Sequence, residues 1–439
     1  MNPSHKNSHP DRLRILFIAY PLLPISQHSA GGAEQILVTL EREMNRRGHR
    51  TTVAACATSQ IAGELFATGE PADAMDQFET RSAQQTNLLL DWLGSGAAEQ
   101  FDLIHDMSGG FWQHADGLPL PVMATLHLPP QLYKHANFSL IPENVFFNCV
   151  SQSQMSEFRD LPRIVGVTPN GIALERFTAE LVPSEQREYF LWLGRICEEK
   201  GAHTALDVAN WGSSKLILSG TVYPFLYHRK YFAREIIPRL KRAGAKAKYV
   251  PEPSFTDKVE LIRQARALLI TSEVNETSSI VAMEAAACGT PVIALRRGAL
   301  PEVVADGITG FVVDNAEQMV EALPRSRDQE PFSSVHGRCL RTVVSQGSRN
   351  GNRQGGAFRT WMLIACPIWA RSQCSKSSKS SPRNESAPAT DRTHCDTPRS
   401  KATPERGRAR VHVAQDELLR FNAKLDYFGG SLCGISLPP

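Results

Sequence analysis

Leu13-Arg14-Ile15-Leu16-Phe17-Ile18-Ala19-Tyr20 is an apolar run, and Gly31-Gly32-Ala33-Glu34 follows it. A short run rich in branched and aromatic residues reads as a strand buried on both faces. The glycines after it open a helix that carries Ile36, Leu37, Leu40 and Met44 on one face. Arg46-Arg47-Gly48 stops that helix, since a basic last turn followed by glycine satisfies its final carbonyls. Strand, glycine turn and helix make the first unit of an α/β protein with a parallel, doubly wound sheet. Working outward, residues 51–56, 103–105, 122–126, 145–150 and 164–167 read as further strands.

The grammar then restarts. Residues 189–193 form a new first strand, and Gly194-Arg195 is the turn after it. Strands follow at 215–218, 247–250, 267–271 and 292–295, with 310–314 closing the series. Two Rossmann-like units of similar pattern are therefore expected, at 1–180 and 185–325. Two such lobes enclose a cleft, the usual ligand site of this architecture. From residue 326 neither period persists. A Ser/Lys-rich run at 372–383 and a Pro/Thr/Arg-rich stretch to 410 predict a largely disordered tail at 326–439. One marginal amphipathic helix is expected within it, at 415–427.

Charge separates the same regions. Of the 439 residues, 48 are basic and 45 acidic, a net +3. Through Pro324 the balance is 29 basic to 36 acidic, or −7; beyond it the balance is 19 to 9, or +10. The two-lobed part is thus no basic nucleic-acid binder, and no specific nucleic-acid partner is expected. The first twelve residues are polar and lack an apolar signal core. No apolar run approaches the roughly 20 residues needed to span a membrane. Four isolated cysteines, Cys56, Cys149, Cys197 and Cys288, precede Pro324, and CxxC occurs nowhere. That usage suits reduced thiols, and a cytoplasmic location is expected.

Four features carry chemistry. Gly31-Gly32 lets a ligand approach the backbone at a helix N-terminus, where phosphate is favoured; a tight structural turn explains it equally well. It is not GxGxxG, and residues 54–56 end the second strand without an acid for a dinucleotide ribose, which disfavours nicotinamide chemistry. The loop Gly194-Arg195-Ile196-Cys197-Glu198-Glu199-Lys200-Gly201 places two cations five residues apart after a strand. Such a pair can clamp a diphosphate, although most charged loops are only solvated turns. Glu276 and Glu284 are eight residues apart, on either side of a helix start at Thr277-Ser278-Ser279. Glu284 lies among small and apolar residues, so it needs a partner, whether a ligand hydroxyl or a neighbouring protein group. His127 ends one apolar strand and His105 another; lone histidines of this kind are more often structural.

In order along the chain, these pieces resemble the retaining GT-B glycosyltransferases, specifically glycosyltransferase family 4, the group 1 transferases. The likeness covers residues 13–323. It rests on Gly31-Gly32-Ala33-Glu34, Thr125-Leu126-His127, Pro169-Asn170-Gly171 and Glu175-Arg176-Phe177, with Gly194-Arg195 and Glu199-Lys200-Gly201 after them. The E-x7-E pair Glu276 and Glu284, AAACGTP at 285–291 and GITGF at 307–311 complete the set. The resemblance implies a nucleoside-diphosphate sugar as donor substrate, no cofactor, and no metal. It implies that Gly194, Arg195 and Lys200 meet the diphosphate, that Gly31 and Gly32 border it, and that Ser279 begins the donor-binding helix. Glu284 would hold the ribose and Glu276 the donor sugar, while His127 would face that sugar from the first lobe. The implied acceptor is a saccharide or a lipid-linked sugar, the latter bringing peripheral contact with a membrane.

Three departures stand out. The family's common Pro-Phe-Gly after the first Glu is Thr277-Ser278-Ser279 here, and the acid often found after Asn-Gly-Ile is Ala173. The family's closing helices have no counterpart after Leu323, so an altered reading frame or a replaced C-terminus is expected beyond about residue 325. Two other readings share the fold: a sugar-nucleotide epimerase, and a binding protein without turnover.

Overall fold

The computed structural model describes residues 12–29, 31–72, 77–134, 136–177, 182–223 and 225–328. The expectations for residues 326–439 lie outside these, apart from the end of one helix, as does the polar leader. In the first lobe the strands are β1 (Arg14–Ile18), β2 (Arg50–Ala55), β3 (Glu64–Ala67), β4 (Leu103–Asp106), β5 (Val122–Thr125), β6 (Val145–Cys149) and β7 (Ile164–Val167). Helices α1 (Gly32–Arg46), α2 (Phe78–Gly94) and α3 (Gln152–Glu157) connect them. The second lobe holds β8 (Tyr189–Leu193), α4 (Ala202–Trp211), β9 (Leu216–Gly220), α5 (Leu226–Tyr231), α6 (Ile237–Ala243) and β10 (Ala247–Pro251). It continues with α7 (Phe255–Arg263), β11 (Ala265–Ile270), α8 (Ile280–Ala287), β12 (Val292–Leu295), α9 (Leu300–Val303), β13 (Gly310–Val313) and α10 (Ala316–Asp328).

Both sheets are wholly parallel. Their orders are β3-β2-β1-β4-β5-β6-β7 and β10-β9-β8-β11-β12-β13. In each, the order reverses beside the first strand, between β1 and β4 and between β8 and β11. The loops leaving those strands diverge there and open a crevice at their carboxyl ends.

Each sheet is covered on both faces, which explains strands without polar alternation. In β1, Leu16 and Ile18 enter one core and Ile15 and Phe17 the other. In β8, Phe190 and Trp192 face α4, whereas Leu191 packs with α8 residues Ala282 and Ala285. Strand β3 was not expected. It is a four-residue edge strand with no fully buried residue, and its apolar run, Leu65-Phe66-Ala67, is too short to stand out in sequence. Helix α10 runs three residues past the expected end of the second lobe and carries Pro324 inside it. Its Met319, Ala322 and Leu323 are buried in the second lobe's core.

Gly201 joins the loop after β8 to the end of β11. Its φ is +65°, and a Cβ there would lie 1.9 Å from the Thr271 carbonyl oxygen. Only glycine fits both the left-handed backbone and the close approach. Gly201→Ala should cost at least about 2 kcal/mol of stability, read as a lower denaturant midpoint. An unchanged midpoint would mean this contact does not hold the loop in place.

Candidate functional site

The loop after β8 carries Arg195 and Lys200, and the chain after β11 carries Glu276, so the second lobe's reversal point brings all three together. Lys200 Nζ lies 2.6 Å from Glu276 Oε1. The Ser272 hydroxyl donates to the same oxygen. Glu276 is thus held by a cation and a hydroxyl on a mostly buried side chain. Arg195 is oriented differently. Its guanidinium lies 5.7 Å from the centre of the Tyr223 ring, and its Nε is buried without a hydrogen-bond partner. Burial acts against its charge, but the neighbouring Cys197, Glu199 and Tyr223 outweigh that and raise its pKa further. A fixed, incompletely satisfied cation at a strand end is a ready acceptor for anionic oxygen.

The E-x7-E spacing separates two environments. Glu276 lies before α8, and Ser279 caps that helix by accepting from the Ala282 N–H. Glu284 lies one turn further in and is 2 % exposed. Its Oε1 is 2.6 Å from Lys258 Nζ, whereas Oε2 is buried with no partner. Burial pushes the Glu284 carboxyl above its ordinary pKa, opposed by Lys258 and then Arg176. Glu284, Ile280, Arg176, Gly171, Gln35 and Thr39 line one small pocket between the lobes. A protein cation therefore holds one oxygen of Glu284, and the other is buried without a partner.

The first lobe closes the cleft. Gly31 is the N-cap of α1, and a Cβ there would lie 2.0 Å from the Glu34 carboxylate, which folds back over it. Burial pushes the Glu34 carboxyl up, and Arg195 across the cleft pulls it down. Gly32 faces α8: a Cβ would stand 3.1 Å from Ile280 Cδ1. The glycine turn is thus both a helix start and a close interlobe approach. Gly194 packs under Gly220, whose added Cβ would lie 1.8 Å from the Gly194 carbonyl oxygen.

His127 stands at the end of β5, its Nε2 buried without a partner. Burial pulls the ring down to about 4, so it is neutral near pH 7. Its N–H donates to Tyr133 Oη at 2.9 Å, and its carbonyl accepts from Thr277 Oγ1 at 2.8 Å. That second bond crosses the cleft. It sets His127 next to the residue that follows Glu276. His105 is structural: 1 % exposed, with Nε2 at 2.8 Å from Thr125 Oγ1. More polar contacts join the lobes. Glu302 accepts from the Gln152 and Ser153 N–H groups at 3.0 and 2.6 Å. Arg176 Nη1 donates to the Gln27 carbonyl at 3.0 Å, and Asn275 Nδ2 to Glu157 at 2.9 Å.

Known proteins place this geometry. Residues 175–329 match the family model for glycosyl transferases group 1. The second lobe is thus similar to the group 1 glycosyl transferases. D-inositol 3-phosphate glycosyltransferase of Mycobacterium tuberculosis is 44 % identical over 74 residues, 17 % of this chain. The match spans only 15 % of the length of that relative, and the Mycobacterium bovis protein gives the same figures. Among solved structures, sucrose-phosphate synthase from Thermosynechococcus elongatus superposes with a TM-score of 0.61 at 18 % identity, covering 84 % of this chain and all of that one. AviGT4, a glycosyltransferase of avilamycin A biosynthesis, gives 0.58 at 20 %, covering 82 % and 98 %. Anabaena HepE in complex with UDP and glucose gives 0.55 at 16 %, covering 83 % and 100 %. At these identities the likeness is one of fold, and that fold is GT-B.

Sequence reasoning missed Lys258, Arg176's reach into the first lobe, and Thr277 as an interlobe donor. Lys258 is an ordinary surface-type residue on α7, 26 positions before its partner, so no local pattern marks it. Removing Lys258 strands a buried carboxylate. Lys258→Ala should lose about 3 kcal/mol or more of stability, and Glu284→Gln in the same chain should restore part of it. Equilibrium denaturation of the single and double variants measures this; a loss below about 1 kcal/mol would show that the pair is not structural.

Proposed function

We propose that the protein is a retaining glycosyltransferase of family 4 type that moves a sugar from a nucleoside-diphosphate sugar to a saccharide or lipid-linked acceptor. The observation that carries this reading is the loop between β8 and α4. It holds Lys200 against Glu276 at the reversal point and sets Arg195 beside Tyr223, within electrostatic reach of Glu34 in the first lobe. Anabaena HepE, of the same fold, has been solved with UDP-glucose, which supports a nucleotide-sugar donor. WaaG, also of this fold, takes part in lipopolysaccharide biosynthesis, which supports a carbohydrate acceptor on a lipid.

When the anomeric C–O bond of the donor breaks, negative charge develops on the diphosphate and oxocarbenium character on the sugar. Arg195 is already held at the end of β8, so it would need little reorganisation as that charge forms. In this reading no divalent ion is required at the phosphates. Lys200 would turn from Glu276 toward the diphosphate, and Glu276, released from that pair, would accept from hydroxyls of the donor sugar. Glu284 would accept from the ribose through Oε2, the oxygen Lys258 leaves free. Neutral His127 would hydrogen-bond the sugar from the first lobe. The acceptor hydroxyl would attack from the face the diphosphate leaves, giving retention. Its proton would pass to the departing diphosphate oxygen. Among the described residues no helix is long and apolar enough to cross a membrane, so a lipid-linked acceptor would be reached from the bilayer surface.

Incubation with a panel of sugar nucleotides should release free nucleoside diphosphate from at least one. Arg195→Ala should lower kcat by about 100-fold, the scale for losing one fixed transition-state donor. Glu284→Ala should instead mainly raise the donor KM. Neither turnover nor binding with any donor would end this reading, and unchanged kinetics in Arg195→Ala would remove the role given to it.

A further inference from the structure

Behind Arg195 lies a cluster that the transfer chemistry does not use. Cys197, Glu199 and His228 each offer a ligand atom, and these atoms all lie within 4.8 Å of one another. His228 sits on α5 and is fully buried, yet neither ring nitrogen has a hydrogen-bond partner. Its ring is walled by Phe225 and Tyr227, with centroids 5.1 and 4.2 Å away. Glu199 Oε2 is also buried without a partner. Cys197 is fully buried; its Sγ donates to the Arg195 carbonyl at 3.6 Å and also interacts with the Glu199 carboxylate. A dry imidazole with two idle nitrogens beside an idle carboxylate oxygen and a thiol is unusual, because buried polar atoms are normally satisfied.

We propose that Cys197, Glu199 and His228 bind a zinc ion that ties the loop carrying Arg195 and Lys200 to helix α5. The donor set fits. Thiolate, imidazole and carboxylate are the three zinc ligand types, and three protein ligands leave one position for water. Burial, and then Arg195, pull His228 down to about 4, so the ring is neutral at neutral pH and one of its nitrogens offers a lone pair. Zinc–ligand bonds of about 2.0–2.3 Å need ligand atoms roughly 3.5 Å apart, so the widest pair would close by about 1 Å. Binding replaces the Cys197 thiol proton with the ion, and that proton leaves to solvent. Thiolate and carboxylate together balance the ion's two charges, so Arg195 keeps its own charge for an anion. Cys197 and Glu199 lie between Arg195 and Lys200 in sequence, and the ion therefore fixes the spacing of those two cations. The site stands apart from the transfer reading, and metal binding is measured without any donor.

The test uses the full chain stripped of metal with a chelator. Titration with Co2+ should give one equivalent of binding with a thiolate-to-cobalt charge-transfer band, and Zn2+ should displace it. Cys197→Ser should abolish the band, and Glu199→Gln should weaken Zn2+ binding at least tenfold in competition with a chromophoric chelator. Should Cys197→Ser fail to fold, zinc-edge X-ray absorption of the wild-type chain decides: one sulfur with nitrogen and oxygen neighbours is expected. The proposal is overturned by absence of the band in the wild type, by its persistence in folded Cys197→Ser, or by a zinc shell with no sulfur or with several. Persistence would assign the ion to other cysteines, five of which lie beyond residue 328.

Discussion

A charge taken out of water needs a partner, and the cleft is organised around that requirement. Glu284 is buried, and Lys258 neutralises one of its oxygens. Glu276 is mostly buried, with Lys200 and Ser272 on one oxygen. Breaking such a pair by removing one partner costs several kcal/mol. The cleft therefore stays folded without a ligand and still offers Lys200, Arg195 and the free oxygen of Glu284 to one. The doubly wound topology makes this possible, since only at the reversal point do loops from neighbouring strands separate enough to leave polar groups facing a crevice.

The lobes are held together by groups that also border the site. Thr277 follows Glu276 directly and bonds the carbonyl of His127, so positioning of the acid and of the histidine is coupled through one hydrogen bond. Arg176 stacks on Phe255 at 3.9 Å while it reaches Gln27 in the first lobe. Glu302 meets two N–H groups at the start of α3. These contacts are few and polar, the kind that open and re-form more easily than a packed apolar interface. Under the proposed function, a cleft that admits a donor and then excludes water needs an interface of that kind.

Much of this could be read along the chain. Strands β1 and β8 are continuous apolar runs because helices cover both faces of their sheets. The register of Glu276 and Glu284 about Ser279 was also legible, since a serine cap before an alanine-rich helix fixes which acid is outside and which is inside. What could not be read is partnership across long separations. Lys258, Tyr223 and His228 look like any residue of their type in sequence, and only the packing of α5 and α7 against the loop and α8 gives them roles. The edge strand β3 escaped because its apolar run is only three residues long, Leu65-Phe66-Ala67. Thr277 was read only as part of a cap, because nothing local tells that its hydroxyl meets the other lobe.

Under the proposed function, the crevice at the second lobe's reversal point holds a nucleoside diphosphate. Diffraction from crystals grown with a nucleoside diphosphate tests it directly. The account predicts density for the two phosphates between Arg195 and Lys200, with the ribose hydroxyls within hydrogen-bond distance of Glu284 Oε2. Density for the nucleotide elsewhere on the chain, or phosphates out of reach of both cations, would contradict it.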